Sequence, residues 1–486
     1  MVTLADLDAT ALAVEREAAL RVADLVEFRL DRLDRMSVAD MLGDAAGRAI
    51  VTCRPVREGG SFQGPEAERE VRLREALDGG AAFVDVEWDA PFADALMAQC
   101  RDRVVLSRHD FSGMPRALPG MVAEMAARRP AVVKLAVSPS SLVDVRLLHE
   151  ARRAAGNCPV VLIGMGAVGL PSRLLPTRFG SCWTYSGAAI APGQVPATMM
   201  RNRYGVGRQT GRTQLCGVAG RPIGHSWSPL LHNAALRQIG IDAVYVPLQP
   251  LDVVDLLTFA TAFDMRGLSV TAPFKVDALA RADRADAMAT RLGAANTLTR
   301  DGNEWTASNT DVAGFLHPLR GRLALNGLRA AVLGAGGAAR AVVAGLVDQG
   351  AQVVVHARRA EQAQPLEGLG AVVGEWPPRT GTWDLLVNTT PVGTAPDVEA
   401  SPIHPDVLAA GGFVYDLVYN PGRTRLLRDA AAAGCATLGG LEMLIAHAAL
   451  QLSTWFGVDP PIEAMRAAIH AEAPHLALAP ETPCPR

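Results

Sequence analysis

At 486 residues the chain is too long for one ordinary core, and about 100 to 200 residues per domain predicts two to four domains. With 49% hydrophobic residues, 20% charged residues and a net charge of -3 at pH 7, it reads as ordered nearly throughout. It lacks the basic bias that draws a protein to nucleic acid or anionic membranes, so small molecules are the expected partners. Cys53, Cys100, Cys158, Cys182, Cys216, Cys435 and Cys484 are scattered, without CxxC or metal-ligand spacing. They predict neither a disulfide framework nor a metal site, and fit a reducing cytoplasm. With no leader-like N-terminus and no run of about 18 apolar residues, neither export nor membrane insertion is expected.

In chain order, short apolar runs alternate with helix-like stretches over residues 1–200. Candidate strands are 2–4, 24–29, 49–54, 83–88, 104–109, 131–137, 159–165 and 181–185, and stretches such as 11–23, 66–77 and 119–129 are long enough for right-handed crossovers. Eight such units in about 200 residues predict a closed α/β barrel, although an open doubly wound sheet alternates in the same way.

Polar residues recur inside these strands. Period two puts Glu27 with Arg29, Thr52 with Arg54, Asp85 with Glu87, and Ser107 with His109 on common faces. Recurrence at the C-terminal ends of successive strands predicts a polar pocket at that mouth of a barrel. Lys134, in the run AVVKLAV, belongs to this series. A lysine in a buried strand must be paired, reach water, or give up its proton and become a nucleophile. Taken singly, Lys134 reads as a snorkelling side chain, His109 as hydrogen-bonded structure, and Asp85 and Glu87 as partners for arginines. Taken together they suit a carbonyl substrate bearing a carboxylate, with Lys134 as covalent hook and His109 as general acid/base.

The segments EFRLD (27–31), TCRPVREGG (52–60), SRHDF (107–111), VKLAV (133–137), Ser172-Arg173, FGS (179–181) and APGQ (191–194) give residues 1–200 a specific likeness. The stretch resembles the type I 3-dehydroquinate dehydratases. That resemblance implies a (β/α)8 TIM barrel in which Lys134 forms an imine with the substrate ketone. His109 would remove the C2 proton and assist loss of water, with Glu58 positioning His109. Glu27, Arg29, Arg54, Arg173 and Gln194 would hold substrate, Arg173 as the carboxylate fork. Ile190 departs from the serine that relatives often carry four residues before Gln194.

Residues 201–213 are basic and glycine-containing without periodicity, and read as a linker rather than a nucleic-acid contact. Beyond them, Ser226 and Ser228 flank Trp227 ahead of a predicted helix, where hydroxyls serve equally as caps or ligand contacts. The clusters SVTAPFK (269–275), GAANTL (293–298) and SNTDVAGF (308–315) suit a polyhydroxy ligand.

Residues 330–359 carry strand, glycine turn, helix and second strand. Gly334, Gly336 and Ala339 fit the GxGxxA dinucleotide fingerprint of a Rossmann domain, and Gly337 adds room. The second strand ends His356, Ala357, Arg358, Arg359 instead of in the acid that grips an NAD ribose. NADP is therefore the expected cofactor, with Arg358 and Arg359 on the 2′-phosphate.

With VNTTPVG (387–393), VYDLVYNP (414–421) and GGLEMLIAHA (439–448) added, residues 214–470 resemble shikimate dehydrogenase. The likeness implies Lys275 and Asp311 as the catalytic pair, and Ser226, Ser228, Thr271, Asn296, Tyr419 and His447 on substrate. Ala335, Ala338, Arg340, Leu417 and Gly440 join the nucleotide set. Ser269 and His447 stand where relatives usually carry asparagine and glutamine.

The expected architecture is a barrel over 1–208, a substrate domain over 214–315 completed by 440–471, a nucleotide domain over 316–439, and a frayed tail from 472. The expected function is successive dehydration of 3-dehydroquinate and NADPH-dependent reduction of 3-dehydroshikimate. The competing readings are a second half acting on quinate with NAD, and a non-catalytic metabolite sensor built from the same modules.

Overall fold

A computed structural model of the protein describes residues 1–33, 36–187, 192–224, 226–409 and 411–473. Ile190 and residues 474–486 of the tail lie outside the described residues. By internal packing the chain divides into two compact units, Met1–His225 with Asp242–Met265, and Ser226–Ile241 with Arg266–Arg486.

The first unit is built on seven parallel strands that pair in sequence order: β1 (Val2–Leu4), β2 (Val26–Arg29), β3 (Ala49–Thr52), β4 (Phe83–Glu87), β5 (Val104–Asp110), β6 (Val132–Val137) and β7 (Val160–Gly164). Alternation sorts their side chains. Val26, Phe28, Val51, Val84, Val86, Leu106, Val133 and Leu135 point outward into one apolar layer packed under the helices. Each such residue, buried fully, contributes roughly 1.5 to 3 kcal/mol. The alternate set, Glu27, Thr52, Asp85, Glu87, Ser107 and Lys134, is equally buried but polar.

The eighth expected strand, 181–185, is not a regular one. Residues 181–186 close the ring through isolated bridges, Val160 with Ser181 and Val2 with Ser186. Within it the carbonyl of Thr184 accepts from the Met1 ammonium and that of Tyr185 from the side chain of Arg173.

Residues 201–213, read as a linker, are instead tied down. Arg178 donates to the carbonyl of Thr213, and Gln209 donates to those of Leu174 and Tyr204, while Met200 and Tyr204 are buried. Two further parallel strands follow, β8 (Gln214–Ala219) and β9 (Ala243–Leu248). After β9, Asp255 accepts from the N–H groups of Leu142 and Val143 at 3.0 and 2.8 Å, a carboxylate set on the first turn of the helix Leu142–Ala151. Phe259 and Phe263 stack, and Phe263 meets His149 and Phe179. These contacts bind Asp242–Met265 to the first unit.

In the second unit, β10 (Met265–Val270), β12 (Thr297–Asp301) and β13 (Glu304–Ser308) pair antiparallel, and the short β11 (Arg284–Ala285) adds parallel to β13. Six parallel strands follow: β14 (Arg329–Leu333), β15 (Gln352–His356), β16 (Val372–Gly374), β17 (Leu385–Asn388), β18 (Phe413–Asp416) and β19 (Ala436–Gly439). Their order is β16-β15-β14-β17-β18-β19, the doubly wound arrangement whose switch point lies beside the end of β14. The helix Gly337–Asp348 packs Ala341 and Ala344 against Leu292 and Val312, which sets the segment carrying Asp311 beside the nucleotide helix. The last helix, Ile462–Glu472, runs into the first residue of the expected tail.

Candidate functional site

The cavity of the first unit collects all eight residues expected there: Glu27, Arg29, Arg54, Glu58, His109, Lys134, Arg173 and Gln194 line it together. Lys134 does not solve its solvation problem by reaching water. Its Nζ donates to Asp85 Oδ2 at 2.7 Å, lies 3.9 Å from Glu27 Oε1, and stands 4.2 Å from the centre of the Tyr185 ring. Asp85 also accepts from Arg54 at 2.7 Å and Ser107 at 2.6 Å. Burial acts to raise the Asp85 carboxyl, but Arg54 and Lys134 outweigh it and hold the group far below the usual range.

The arginines divide by partner. Arg54 gives its guanidinium to Asp85, Glu87 and Ser107, and Arg29 is forked onto Asp31. Arg173 has no carboxylate partner among the described residues. It donates only to the carbonyls of Tyr185 and Pro192, its Nε is buried without a partner, and burial lowers it to about 10. A buried guanidinium without an anion is a receiver for one.

His109 Nδ1 lies 3.0 Å from Glu58 Oε2, and the His109 backbone N–H donates to the same oxygen at 3.0 Å. Burial, then Arg54 and Lys134, keep the imidazole well below its ordinary value, so it is neutral near pH 7. Burial pushes Glu58 up to about 7. A proton on Nδ1 directed at Glu58 leaves the Nε2 lone pair for base chemistry.

In the second unit Lys275 opens the helix Lys275–Arg281 and Asp311 opens Asp311–Leu316. Lys275 Nζ donates to Asp311 Oδ2 at 2.5 Å, and Asn296 Nδ2 donates to Asp311 Oδ1 at 2.7 Å. Burial tends to raise Asp311, and Lys275 with these hydrogen bonds holds it below its ordinary value. Asn296 also accepts from Thr297 Oγ1 and the Thr310 N–H, so in this structure it orders the pair rather than opening onto solvent. His447 faces Asp311 and Lys275 with its Nδ1 buried and unpartnered, and burial lowers it to about 4. Gly314 lets the two helices meet, since a Cβ there would stand 2.8 Å from that of His447.

Ser226 Oγ accepts from the Ser228 N–H at 3.3 Å, the local capping role weighed for it. Ser228 is buried, Thr271 and Tyr419 are half-buried, and among the described residues no hydrogen bond or ion pair joins these four to the Lys275–Asp311 pair. Gln451 was not anticipated. It accepts from Ser269 Oγ at 2.7 Å and donates to the Asn296 carbonyl and Thr297 Oγ1, so Ser269 is met by a second polar residue that no motif marks.

At the nucleotide turn Gly334 has φ +106, and a Cβ there would lie 2.8 Å from Thr389 Oγ1. Gly336 and Gly337 face open space at the start of the helix Gly337–Asp348, which fits a pyrophosphate on backbone amides. Ala335 and Ala338 are half-buried beside them and Ala339 is buried in the core beneath. Arg340 turns toward the Leu292 carbonyl. Arg358 and Arg359 are exposed and make no ion pair among the described residues, so both are available to a phosphate. Gly440 packs on Leu417 so closely that a Cβ would fall 2.1 Å from the Leu417 carbonyl oxygen. Buried Asp416, accepting from Asn388 and Thr424, knits the ends of β17 and β18. These residues fit an NADP.

Comparison with known proteins covers both halves of the chain. Residues 1–210 match the type I 3-dehydroquinase family, 218–298 the shikimate dehydrogenase substrate binding domain, and 440–470 the shikimate 5′-dehydrogenase C-terminal domain. The bifunctional 3-dehydroquinate dehydratase/shikimate dehydrogenase, chloroplastic, of Arabidopsis thaliana is 33% identical over 480 residues, spanning 91% of this chain and 79% of that protein. The shikimate dehydrogenase of Thermus thermophilus, solved with NADP(H) and shikimate, is 36% identical with a TM-score of 0.50, covering 53% of this chain and 99% of that one. A quinate dehydrogenase from Corynebacterium glutamicum, solved with NAD, is 30% identical with the same TM-score of 0.50, covering 53% and 99%. The chain therefore belongs to the bifunctional 3-dehydroquinate dehydratase/shikimate dehydrogenase family.

Proposed function

We infer that this enzyme dehydrates 3-dehydroquinate to 3-dehydroshikimate in the barrel and reduces 3-dehydroshikimate to shikimate in the second unit. The observation that carries the reading is the meeting of Lys134, His109, Glu58 and an unpaired Arg173 around one cavity. Arg173 takes the substrate carboxylate, with Glu27, Arg29, Arg54 and Gln194 around the hydroxyls. Lys134 condenses with the ketone, and the resulting iminium acidifies the adjacent C–H. His109, neutral and held by Glu58, takes the C2 proton. The same proton then leaves with the departing hydroxyl as water, and hydrolysis of the product iminium by one water releases 3-dehydroshikimate and restores the Lys134 ammonium.

In the second unit Lys275 and Asp311 hold and move the proton at the carbonyl oxygen. Ser226, Ser228, Thr271, Asn296, Tyr419 and His447 surround the substrate. Bound NADPH supplies the hydride. Gly334 to Arg340 would hold the nucleotide's pyrophosphate and Arg358 and Arg359 its 2′-phosphate, with Leu417 and Gly440 completing the nucleotide set.

The proposed bounds are 1–208 for the barrel, 214–315 with 440–471 for the substrate domain, and 316–439 for the nucleotide domain. No described helix is long and apolar enough to cross a membrane. A cytoplasmic setting is proposed from the six described cysteines, all free.

Supplying 3-dehydroquinate with NADPH tests both sites at once: consumption of NADPH after a phase of 3-dehydroshikimate formation is expected, and no consumption overturns the reading. Running shikimate and quinate against NADP and NAD decides the competing specificity, which His447 keeps open and Arg358 and Arg359 oppose.

A further inference from the structure

Two polar side chains that the resemblance leaves without a role meet the Lys134 nitrogen directly. Asp85 Oδ2 is 2.7 Å from Nζ, and the Tyr185 ring presents its face to the same atom at 4.2 Å. Both are built into the site. Asp85 is fully buried, with Arg54 and Ser107 on its other oxygen. Tyr185 is 5% exposed and lines the cavity.

The charge balance of the reaction gives these contacts a purpose. Overall, the lysine ammonium and the ketone become an iminium and one water, so the nitrogen carries one positive charge at the start and again at each iminium stage. One ammonium proton leaves for the neutral His109 imidazole, which frees the lone pair, and the N–C bond forms. The C–O bond then breaks, and the oxygen departs as water with the two protons the nitrogen has lost. Loss of the C2 proton discharges the iminium to an enamine. Expulsion of the hydroxyl with that proton restores the cation on the dehydrated product. An anion in contact with the nitrogen, and an aromatic face over it, stabilise each cationic stage where the lysine is buried.

Resting on the imine reading above, we propose that Asp85 and Tyr185 are catalytic residues of the dehydration, holding positive charge on the Lys134 nitrogen through both iminium stages. Arg54 keeps Asp85 ionised when the nitrogen is transiently neutral, because the carboxylate retains a second cation.

The test uses the full chain. Dehydration is followed by product absorbance, and the imine by borohydride trapping with 3-dehydroquinate and mass analysis of the Lys134 peptide. Near-UV circular dichroism reports the fold. Trapping is expected in the wild type. In Asp85→Asn, kcat and the trapping rate are expected to fall on the order of 100-fold, with Asp85→Glu recovering most of the loss. In Tyr185→Leu, kcat falls roughly tenfold, whereas Tyr185→Phe, which keeps the ring face, stays within about twofold. Wild-type kcat and trapping in a folded Asp85→Asn, or equal kcat in the Leu and Phe variants, overturns the proposal. If Asp85→Asn fails to fold, the Leu and Phe comparison decides alone. Absence of trapping in the wild type removes the imine reading itself, and this proposal with it.

Discussion

Lys134 and Lys275 each donate to one carboxylate, at 2.7 and 2.5 Å, yet the surroundings of the two pairs differ. Asp85 has a second cation in Arg54, whose other partners Glu87 and, through it, Arg69 extend a chain of buried charges. Arg54 therefore still supports the ionisation of Asp85 when Lys134 changes its bonds. The nitrogen can change its bonds while the charge around it stays put. Asp311 has the neutral Asn296 on its other oxygen and, among the described residues, Lys275 as its one ion-pair partner. There a proton moved on the lysine changes the charge of the whole pair, which suits passing a proton to and from a substrate oxygen. In the proposed function the same two residue types thus serve covalent chemistry in one setting and acid/base chemistry in the other, and the third partner separates the two settings.

The sharpest way to separate the two settings is Lys134→Ala, which should cost dehydration more than about 10⁴-fold and leave shikimate oxidation unchanged. A parallel fall in both activities with the fold preserved would merge the two sites and end the comparison. Asp311→Asn should do the reverse, lowering shikimate oxidation about 10² to 10⁴-fold with dehydration intact, as paired assays on one preparation will show. Arg173→Met should raise the KM for 3-dehydroquinate roughly 10- to 100-fold. Because Arg173 has no anion to lose, the thermal midpoint should hold or rise; a large drop would show that the guanidinium is structural.

The pH response sharpens the contrast on the other side. Burial holds His447 at about 4 in the folded state, below its ordinary 6.5. A base lowered in this way contributes stability above pH 6.5, which is lost as pH falls from 6.5 toward 4, because the unfolded chain binds the proton first. His447→Gln should remove up to about 2 kcal/mol of that acid sensitivity, read from denaturant midpoints at pH 7 and 4.5. Equal slopes in the two proteins would place the proton elsewhere. The smallest expected effect is Arg358→Ala with Arg359→Ala, a roughly tenfold rise in the KM for NADPH with NADH unaffected. Equal weakening of both cofactors would mean that the arginines do not discriminate them.

Much of this was readable in one dimension because strand alternation is local. Glu27 with Arg29, and Asp85 with Glu87, could be placed on one face from period two alone, and the glycine turn of 334 to 337 announces itself between a strand and a helix. What escaped was whatever depends on partners far along the chain. Ser269 looked like a bare departure until Gln451, 182 residues on, was found bonded to it. The segment 181–185 reads as a strand, but the Met1 ammonium and Arg173 take two of its carbonyls. Residues 201–213 read as a tether, but Arg178 and Gln209 hold them down.

By itself, then, the sequence carried the fold class, the shared strand faces of the first half and the preference for NADP in short-range periodicity and turn chemistry, while most residues of the two proposed sites came from resemblance to known families. Only the tertiary structure decided that Arg173 lacks an anionic partner among the described residues, what answers the charge of Lys134, and that Asn296 orders Asp311. Those outcomes are set by which charges meet at less than about 4 Å in a water-excluded interior, where a partner's identity, not its position in the chain, fixes the electrostatics.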